Sequence, residues 1–208
     1  MNRRALYKVA PAQEELFGLL VCASFFLSGI ALGTFSARSL DEAGTLALQA
    51  SMAGYIDRIT DGTHVPPAFL STLWVSGRTH LLVVFLGFSL LGTLCLPVVA
   101  GVRGFYLSFS IAAFIRAFGI GGWPVALSLF GVGALITVPC FFILASQAFA
   151  ASANLGKSAL GSGRLQFGAF YNGSYLKRIG ICTVGILVAA LLELYLTPLL
   201  VAWTSSFL

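Results

Sequence analysis

Long stretches without a charged side chain constrain this chain more than any other feature. Residues 16–37 and 79–102 contain no Asp, Glu, Lys or Arg and are rich in leucine, valine and phenylalanine. A helix needs about 20 mostly apolar residues to cross the hydrocarbon core of a bilayer. Only 9% of the 208 residues are charged, against about 25% in soluble domains. The sequence therefore predicts an integral membrane protein without room for a separate catalytic domain.

Five membrane-spanning helices account for the apolar stretches, and the predicted fold class is an all-α integral membrane protein. The predicted segments are a cytoplasmic N-terminus at 1–15, spans at 16–37, 79–101, 104–118, 123–149 and 179–203, an external segment at 38–78, a basic cytoplasmic loop at 150–178 and an external tail at 204–208. The third span is short and is bounded by Arg103 and Arg116. Both arginines are expected to extend their long side chains to the two membrane interfaces.

The positions of lysine and arginine predict the orientation. Segment 1–15 holds three basic residues and segment 150–178 holds four without an acid, whereas segment 38–78 holds three arginines against four acids. Basic residues are enriched in cytoplasmic loops, so the N-terminus is expected inside and the C-terminus outside. The net charge of +5 then reflects topology and contact with anionic membrane lipids, and no nucleic acid is expected as a partner.

An amphipathic helix is predicted in the external segment. Ser39 and Glu42 match a capping box, in which the serine caps a backbone N–H and the glutamate reaches back. Apolar residues follow at helical spacing: Leu48, Met52, Tyr55, Ile56 and Ile59. This stripe is expected to rest on the membrane or on the spans, with docking of an external partner as the alternative. A second stripe at Phe69, Leu70, Leu73 and Trp74 predicts a short interfacial helix before the second span.

Glu193 is the only acidic residue inside a predicted span. Ionisable groups are costly in a bilayer, which makes each of them a functional hypothesis. By depth, Arg116 is its nearest expected partner. The preferred interpretation is structural, either a clamp between helices or a neutral glutamic acid bonded to Tyr195 or to a backbone carbonyl. The alternative is a proton or cation site, which is disfavoured because no second acid, histidine or asparagine is assigned to the spans.

Small residues at regular spacing predict close helix packing. Gly29 and Gly33 form a Gly-x-x-x-Gly motif in the first span, which lets helices approach closely. Gly87 and Gly92 add flat surface in the second. The pattern is compatible with packing inside one chain and with self-association.

The chain lacks residue sets that would indicate catalysis or metal binding. The four cysteines lie in predicted spans without Cys-x-x-Cys spacing, and His64 and His80 do not form a metal-binding motif. We find no Ser–His–Asp set and no phosphate-binding loop. The prediction is a protein that is not an enzyme and has no cofactor or metal site.

Taken in order, several motifs resemble the stage II sporulation protein M family. They are Ser28-Gly29-x-x-x-Gly33, residues 86–92 leading to Leu96-Pro97, Gly101-x-Arg103-Gly104, Thr137-Val138-Pro139, and residues 192–198 with Glu193, Tyr195 and Pro198. The last motif is the most specific, and the stretch from Gly87 to Pro97 is second. The resemblance covers nearly the whole chain in length, order and span spacing. The chain departs from the pattern at residues 130–133 and 76–78, where polar or amide side chains are expected.

The resemblance implies a non-enzymatic scaffold of the engulfment machinery in endospore-forming bacteria. Such a multi-pass protein of the cell membrane would anchor and localise single-span peptidoglycan hydrolases, stage II sporulation proteins D and P, at the sporulation septum and the engulfing mother-cell membrane. The alternative from a different class is a small membrane permease or transporter subunit using Glu193, which would require a polar, water-lined path. An intramembrane hydrolase has no supporting motif.

Overall fold

The computed structural model describes residues 3–63, 65, 67–159 and 173–205, and within these ranges the chain is helical without a strand. The helices are α1 (Arg3–Arg38), α2 (Glu42–Thr60), α3 (Phe69–Gly87), α4 (Gly92–Phe118), α5 (Trp123–Ala126), α6 (Val132–Ala159) and α7 (Gly173–Thr204). A 3₁₀ turn at Ile120–Gly122 precedes α5, and a π-helical turn at Leu127–Gly131 joins α5 to α6. His64, part of the predicted basic loop and the last three residues of the predicted tail lie outside the described residues.

Five helical segments are long and apolar enough to cross a membrane, which confirms the predicted number. They are Gln13–Arg38, Phe69–Gly87, Gly92–Phe118, Ile120–Ala159 and Gly173–Thr204. Large apolar side chains stay exposed along them, as at Phe35, Leu135 and Leu199. A bundle with such an apolar exterior is suited to lipid surroundings. The orientation across the membrane stays a prediction.

The second and third spans begin and end at other residues than predicted. The chain turns at residues 88–91, inside the predicted span at 79–101, and α4 then runs unbroken across the predicted boundary at residues 102 and 103. The turn needs no charged residue, because the Ser89 hydroxyl accepts a hydrogen bond from the Leu91 N–H (3.2 Å). Because the residues around the turn are mostly apolar, the sequence pattern did not indicate a break between helices there. Arg103 lies inside α4, not at a membrane interface.

The start of the second crossing also requires a correction. The stripe from Phe69 to Trp74 was expected as a separate interfacial helix, but these residues form the first turns of α3. No residue between Phe69 and Gly87 breaks the helix, so the crossing starts ten residues earlier than the predicted Thr79.

Segment 38–78 contains the predicted amphipathic helix, α2, with a different N-terminal cap. Asp41, not Ser39, caps the helix, since its carboxylate accepts a hydrogen bond from the Gly44 N–H (2.9 Å). The Ser39 hydroxyl instead donates to the Phe35 carbonyl at the end of α1. The apolar stripe rests on the spans: Ile56 and Ile59 are buried in a cluster with Phe114, Val125, Ala126 and Val201.

The most extensive helix contact joins α1 to α4 through glycines. A Cβ atom at Gly29 would overlap the Gly101 carbonyl oxygen, and one at Gly33 would overlap the Phe105 carbonyl oxygen. Gly104 is equally close to the α1 backbone. We call these five residues the glycine seam. Both helices approach at backbone distance here, which small residues allow. The Gly-x-x-x-Gly motif is therefore used for packing within the chain.

The turn between α3 and α4 is held by a serine from α6. Ser152 is fully buried, and its hydroxyl donates to the Ser89 carbonyl (2.7 Å) and accepts from the Thr93 N–H (2.9 Å). Gly87 and Gly92 make room for α6, because a Cβ atom at Gly87 would lie 2.9 Å from the Ala148 Cβ and one at Gly92 would lie 2.8 Å from the Ser152 hydroxyl. Both glycines therefore serve packing within the chain.

Two ion pairs join α1 to α6 and α7 at the end of the bundle opposite α2. The Glu14 carboxylate accepts from the Lys157 ammonium (2.6 Å), and the Glu15 carboxylate accepts from the Arg178 guanidinium (2.9 Å). The Asn154 amide also donates to Glu14. These contacts fix the entry of α1 into the bundle.

Candidate functional site

Glu193 lies inside α7 and joins three helices. Its carboxylate accepts a hydrogen bond from the Ser76 hydroxyl of α3 (2.8 Å). On its other side it lies directly against Gly133 of α6, where a Cβ atom would overlap the carboxylate oxygen. Gly133 therefore makes the space that Glu193 occupies. We call this contact of α7 with α3 and α6 the clamp at Glu193, and its structural role stays a prediction.

Arg103 is the cation that faces Glu193. It lies inside α4, and its guanidinium stacks over the Phe141 ring at 5.3 Å from the ring centroid. Its Nε atom is buried without a hydrogen-bond partner in the described part of the chain. Arg103 and Glu193 line one cavity of about 220 Å³ and attract each other across it, without direct ion-pair contact. Each charge thus lowers the cost of keeping the other inside the bundle.

His80 adds a third ionisable group to this region. It is 2% exposed on α3, and its Nδ1 atom lies 3.3 Å from the Ser76 carbonyl one turn earlier. Its Nε2 atom is buried without a partner among the described residues. A histidine is therefore present in the spans near Glu193, contrary to the expectation that none lies there, and the arginine that faces Glu193 is Arg103.

Arg116 does not pair with Glu193. Its guanidinium donates to the backbone carbonyls of Arg38 and Leu40, the latter at 2.8 Å, and so closes the turn after α1. The physical reason is the length of α4. Because α4 continues through residues 92–118, Arg116 lies in its last turn and Arg103 occupies the depth that was assigned to Arg116.

The remaining predicted residues are spread over the bundle. Tyr195 is 67% exposed on the outer surface of α7 and does not bond Glu193. Pro97 is buried inside α4, and Pro198 lies inside α7. Pro198 lines a cavity together with Glu193.

That second cavity extends from Glu193 toward α2. It measures about 470 Å³, and its polar lining includes Tyr55 and Arg58 of α2 and Thr72 of α3. Burial raises the pKa of the Tyr55 hydroxyl, an effect that the positive charge of Arg58 opposes. Phe130 and Glu193 line both this cavity and the first one. The Glu193 carboxylate therefore lies between the interior and the α2 end of the bundle.

A third cavity lies between α3 and α4, and we call it the arginine cleft. It measures about 480 Å³. It is lined by Val75, Arg78, Thr79 and Leu82 of α3 and by Val98, Val102, Arg103 and Tyr106 of α4. Val75 and Arg103 also line the first cavity. The three cavities thus adjoin one another from α2 to the outer surface between α3 and α4.

Among the described residues, no three His, Cys, Asp or Glu side chains come together as a metal site would require. Cys22, Cys95, Cys140 and Cys182 are free thiols. The arrangement can hold charges inside a membrane and bind a group of opposite charge.

Sequence reasoning did not identify Ser76, His80 and Arg103 as parts of this region. Arg103 carried a usable signal: it stands between Gly101 and Gly104 in a run that is otherwise apolar for many residues on each side. A single arginine in a long apolar run can lie buried inside a helix bundle, and this position is as consistent with the sequence as one at the membrane interface. His80 lies inside the predicted span at 79–101, where a histidine is an equally usable signal, whereas Ser76 had none.

Comparison with protein families gives one match. The family model described as stage II sporulation protein M matches residues 22–198, which extends from α1 to Pro198 in α7. Neither the curated proteins nor the solved structures yield a match. The matched region contains the glycine seam, the clamp at Glu193 and both arginines of the cleft, and it comprises most of the sequence. The chain belongs to the stage II sporulation protein M family.

Proposed function

We propose that this sporulation membrane protein is a non-enzymatic scaffold that anchors and localises peptidoglycan hydrolases at the septum during engulfment. One observation carries the proposal: the acidic residue inside α7 contacts two other helices of the bundle. Glu193 binds Ser76 of α3 and packs on Gly133 of α6. A protein whose central polar contact is a clamp is suited to present fixed surfaces to partners.

The shape of the external segment supports the same role. One face of α2 is buried on the spans through Ile56 and Ile59, while Asp57 and Arg58 stay exposed on its other face. A helix held in this way offers a polar surface in a fixed place. The single-span hydrolases that the family resemblance implies would have their anchors among the spans and their catalytic domains next to this surface.

The test is deletion of the gene in its native host. Cells are starved, and their septal membranes are followed with a fluorescent dye. The expected result is arrest with flat or bulged septa, rescue by the wild-type gene, and recovery of stage II sporulation proteins D and P with the tagged wild-type protein. Normal engulfment after deletion, or wild-type protein that recovers neither hydrolase, would contradict the proposal.

The adjoining cavities favour one alternative, a small permease or transporter subunit that uses Glu193. The cavity toward α2 and the interior cavity both reach its carboxylate. For this function, purified protein in vesicles should carry protons or alkali cations faster than empty vesicles, and Glu193→Gln should abolish the difference. Equal rates in loaded and empty vesicles would remove this alternative.

A further inference from the structure

We propose that the arginine cleft binds a transmembrane helix of a partner protein that carries a carboxylate near its midpoint. Arg78 and Arg103 would supply the opposite charges. This inference rests on the proposed function, because it names the chemistry by which a scaffold would hold a single-span partner. It concerns the surface between α3 and α4, which the clamp at Glu193 does not occupy.

The first observation is the shape of the cleft. α3 and α4 are neighbours in the chain, yet they share far fewer contacts than α1 and α4 do. The two helices meet at the turn at residues 88–91 and leave a groove of about 480 Å³ farther along. Its walls are exposed apolar side chains such as Leu82, Val98 and Val102. A groove of this kind accepts an apolar helix from the lipid side.

The second observation is unbalanced charge. Arg78 is exposed and makes no ion pair or hydrogen bond with the part of the chain that the structure describes. The Nε atom of Arg103 is buried and also unpartnered there. Glu193 is the one carboxylate near Arg103, and it already accepts from Ser76. Among the described residues, the cleft is lined by two guanidinium groups and by no carboxylate, and a carboxylate on a partner helix would balance them.

The third observation is depth. α3 has 19 residues, and at the helical rise of about 1.5 Å per residue Arg78 lies about 14 Å from either end. Arg103 is also well inside its helix, α4. Lipid phosphates lie outside the hydrocarbon core, whereas a side chain on a membrane-spanning helix can present a carboxylate at its middle. The depth therefore favours an acidic residue of a protein helix over a lipid headgroup.

The interaction would be charge-assisted and directional. An arginine can donate two parallel N–H bonds to one carboxylate, and both arginines border the same groove. Apolar contact with α3 and α4 would supply the remaining surface. Partner helices would then be distinguished by the presence and depth of one Asp or Glu.

The first experiment measures this preference directly. The purified full chain, labelled with a fluorescence donor, is placed in phosphatidylcholine vesicles with acceptor-labelled synthetic helices of leucine and alanine. One helix carries Glu at its centre, one carries Gln there, and one carries Glu near its end. We expect the central Glu helix to associate about tenfold more strongly than the Gln helix, since polar contacts between membrane helices contribute about 1–2 kcal/mol.

Variants assign the effect to the cleft. Arg78→Gln and Arg103→Gln should each remove most of the preference for Glu, and Arg78→Lys should retain part of it. Arg38→Gln is the matched control, because Arg38 is exposed at the end of α1 and does not line the cleft. Since Arg78 is exposed, its replacement leaves the core untouched. Equal association of the Glu and Gln helices with the wild-type protein, or an unchanged preference in Arg78→Gln, would overturn the proposal.

A lipid occupant is the competing outcome. Phosphatidylglycerol is added to the vesicles in place of part of the phosphatidylcholine, and lipid retained on the purified protein is measured for wild type and Arg78→Gln. We expect little change in helix association. If phosphatidylglycerol displaces the central Glu helix and its retention depends on Arg78, the cleft binds a lipid phosphate and the proposal is overturned.

A final comparison separates this inference from the scaffold function. Tagged wild type and the Arg78→Gln, Arg103→Gln double variant are recovered from sporulating cells. Loss of the hydrolases from the double variant alone is expected. Equal recovery of the hydrolases by both proteins would overturn the inference but not the proposed scaffold function. If the wild type recovers no hydrolase, the scaffold function is contradicted. The vesicle experiment then still decides what the cleft binds.

Discussion

α4 packs in opposite ways on its two sides. Toward α1 it presents the glycine seam, where backbones touch and a single added methyl group would overlap a carbonyl oxygen. Toward α3 it presents Arg103 and an open cleft of about 480 Å³. Close backbone packing stabilises the side that faces α1, whereas the side that faces α3 carries the positive charge of Arg103. A helix that is fixed on one side can afford loose packing on the other, which leaves a surface for binding.

The largest effect is expected from Gly29→Leu in the glycine seam. Its Cβ atom would overlap the Gly101 carbonyl oxygen, so α1 and α4 would have to separate. Overpacking typically destabilises by about 1–3 kcal/mol, and we expect at least the upper value because backbone cannot move aside. The measurement is thermal unfolding of purified protein in detergent, followed by size-exclusion chromatography.

Gly180→Leu is the matched control for that substitution. Gly180 lies in α7 with open space where its Cβ atom would be. The variant should unfold within a few degrees of wild type. An equal loss of stability at both positions would show that leucine itself, and not the seam, causes the effect.

Next in size is Glu193→Ala in the polar region. The change removes the acceptor of Ser76 and the charge that faces Arg103, and we expect a loss of about 2 kcal/mol, as for an unsatisfied buried polar group. Combining it with Arg103→Gln should cost less than the sum of the two single changes. Reversible unfolding in mixed micelles measures all three variants, and simple additivity would contradict the proposed coupling.

A smaller effect is expected from Gly133→Ala, which tests the space under Glu193. The new methyl group would displace the carboxylate from its position against Ser76, so we expect a loss of about 1 kcal/mol, the typical net value of a hydrogen bond. Gly131→Ala is the control, since a Cβ atom there meets only the Leu127 side chain at 3.6 Å. The same unfolding assay would contradict the clamp if both variants behaved alike.

The smallest effect is expected from Ser76→Ala. The variant removes the 2.8 Å hydrogen bond to Glu193, but the adjoining cavity can admit water, so the loss should stay below about 1 kcal/mol. Ser24→Ala removes only a local bond to the Leu20 carbonyl and serves as control. A loss greater than that of Gly133→Ala would mean that Ser76, not the position of the carboxylate, determines the clamp.

The membrane class, the number of apolar helices that could cross and the amphipathic helix of segment 38–78 could be predicted from the sequence, because each depends on local hydrophobicity and helical period. The turn at residues 88–91 could not, because Ser152 stabilises it from α6, more than 50 residues away in the chain. The cap at Asp41 was missed for a more local reason. Ser39 fits the capping pattern equally well, but its hydroxyl bonds to α1.

Glu193 could be recognised from its position in an apolar span as an acid that needs partners, whereas the identity of those partners could not be predicted. Its partner Ser76 and the facing Arg103 come from α3 and α4. Residues of α3 and α4 can contact Glu193 only if they lie at its depth in the bundle. Their depth depends on where α3 and α4 begin. Because the break between the second and third crossings was misplaced, Arg116 was assigned the depth that belongs to Arg103.

Lys157 and Arg178 form ion pairs with Glu14 and Glu15 in the folded protein. A count of basic residues in the sequence therefore overstates the positive charge that this end of the bundle presents to the membrane after folding. During insertion the chain is unfolded, and each lysine or arginine acts on orientation with its full charge. After folding, two of those charges face carboxylates of α1. Attraction of this end to anionic lipid, about 1 kcal/mol per basic residue near the surface, should therefore be weaker in the folded protein than in the newly inserted chain.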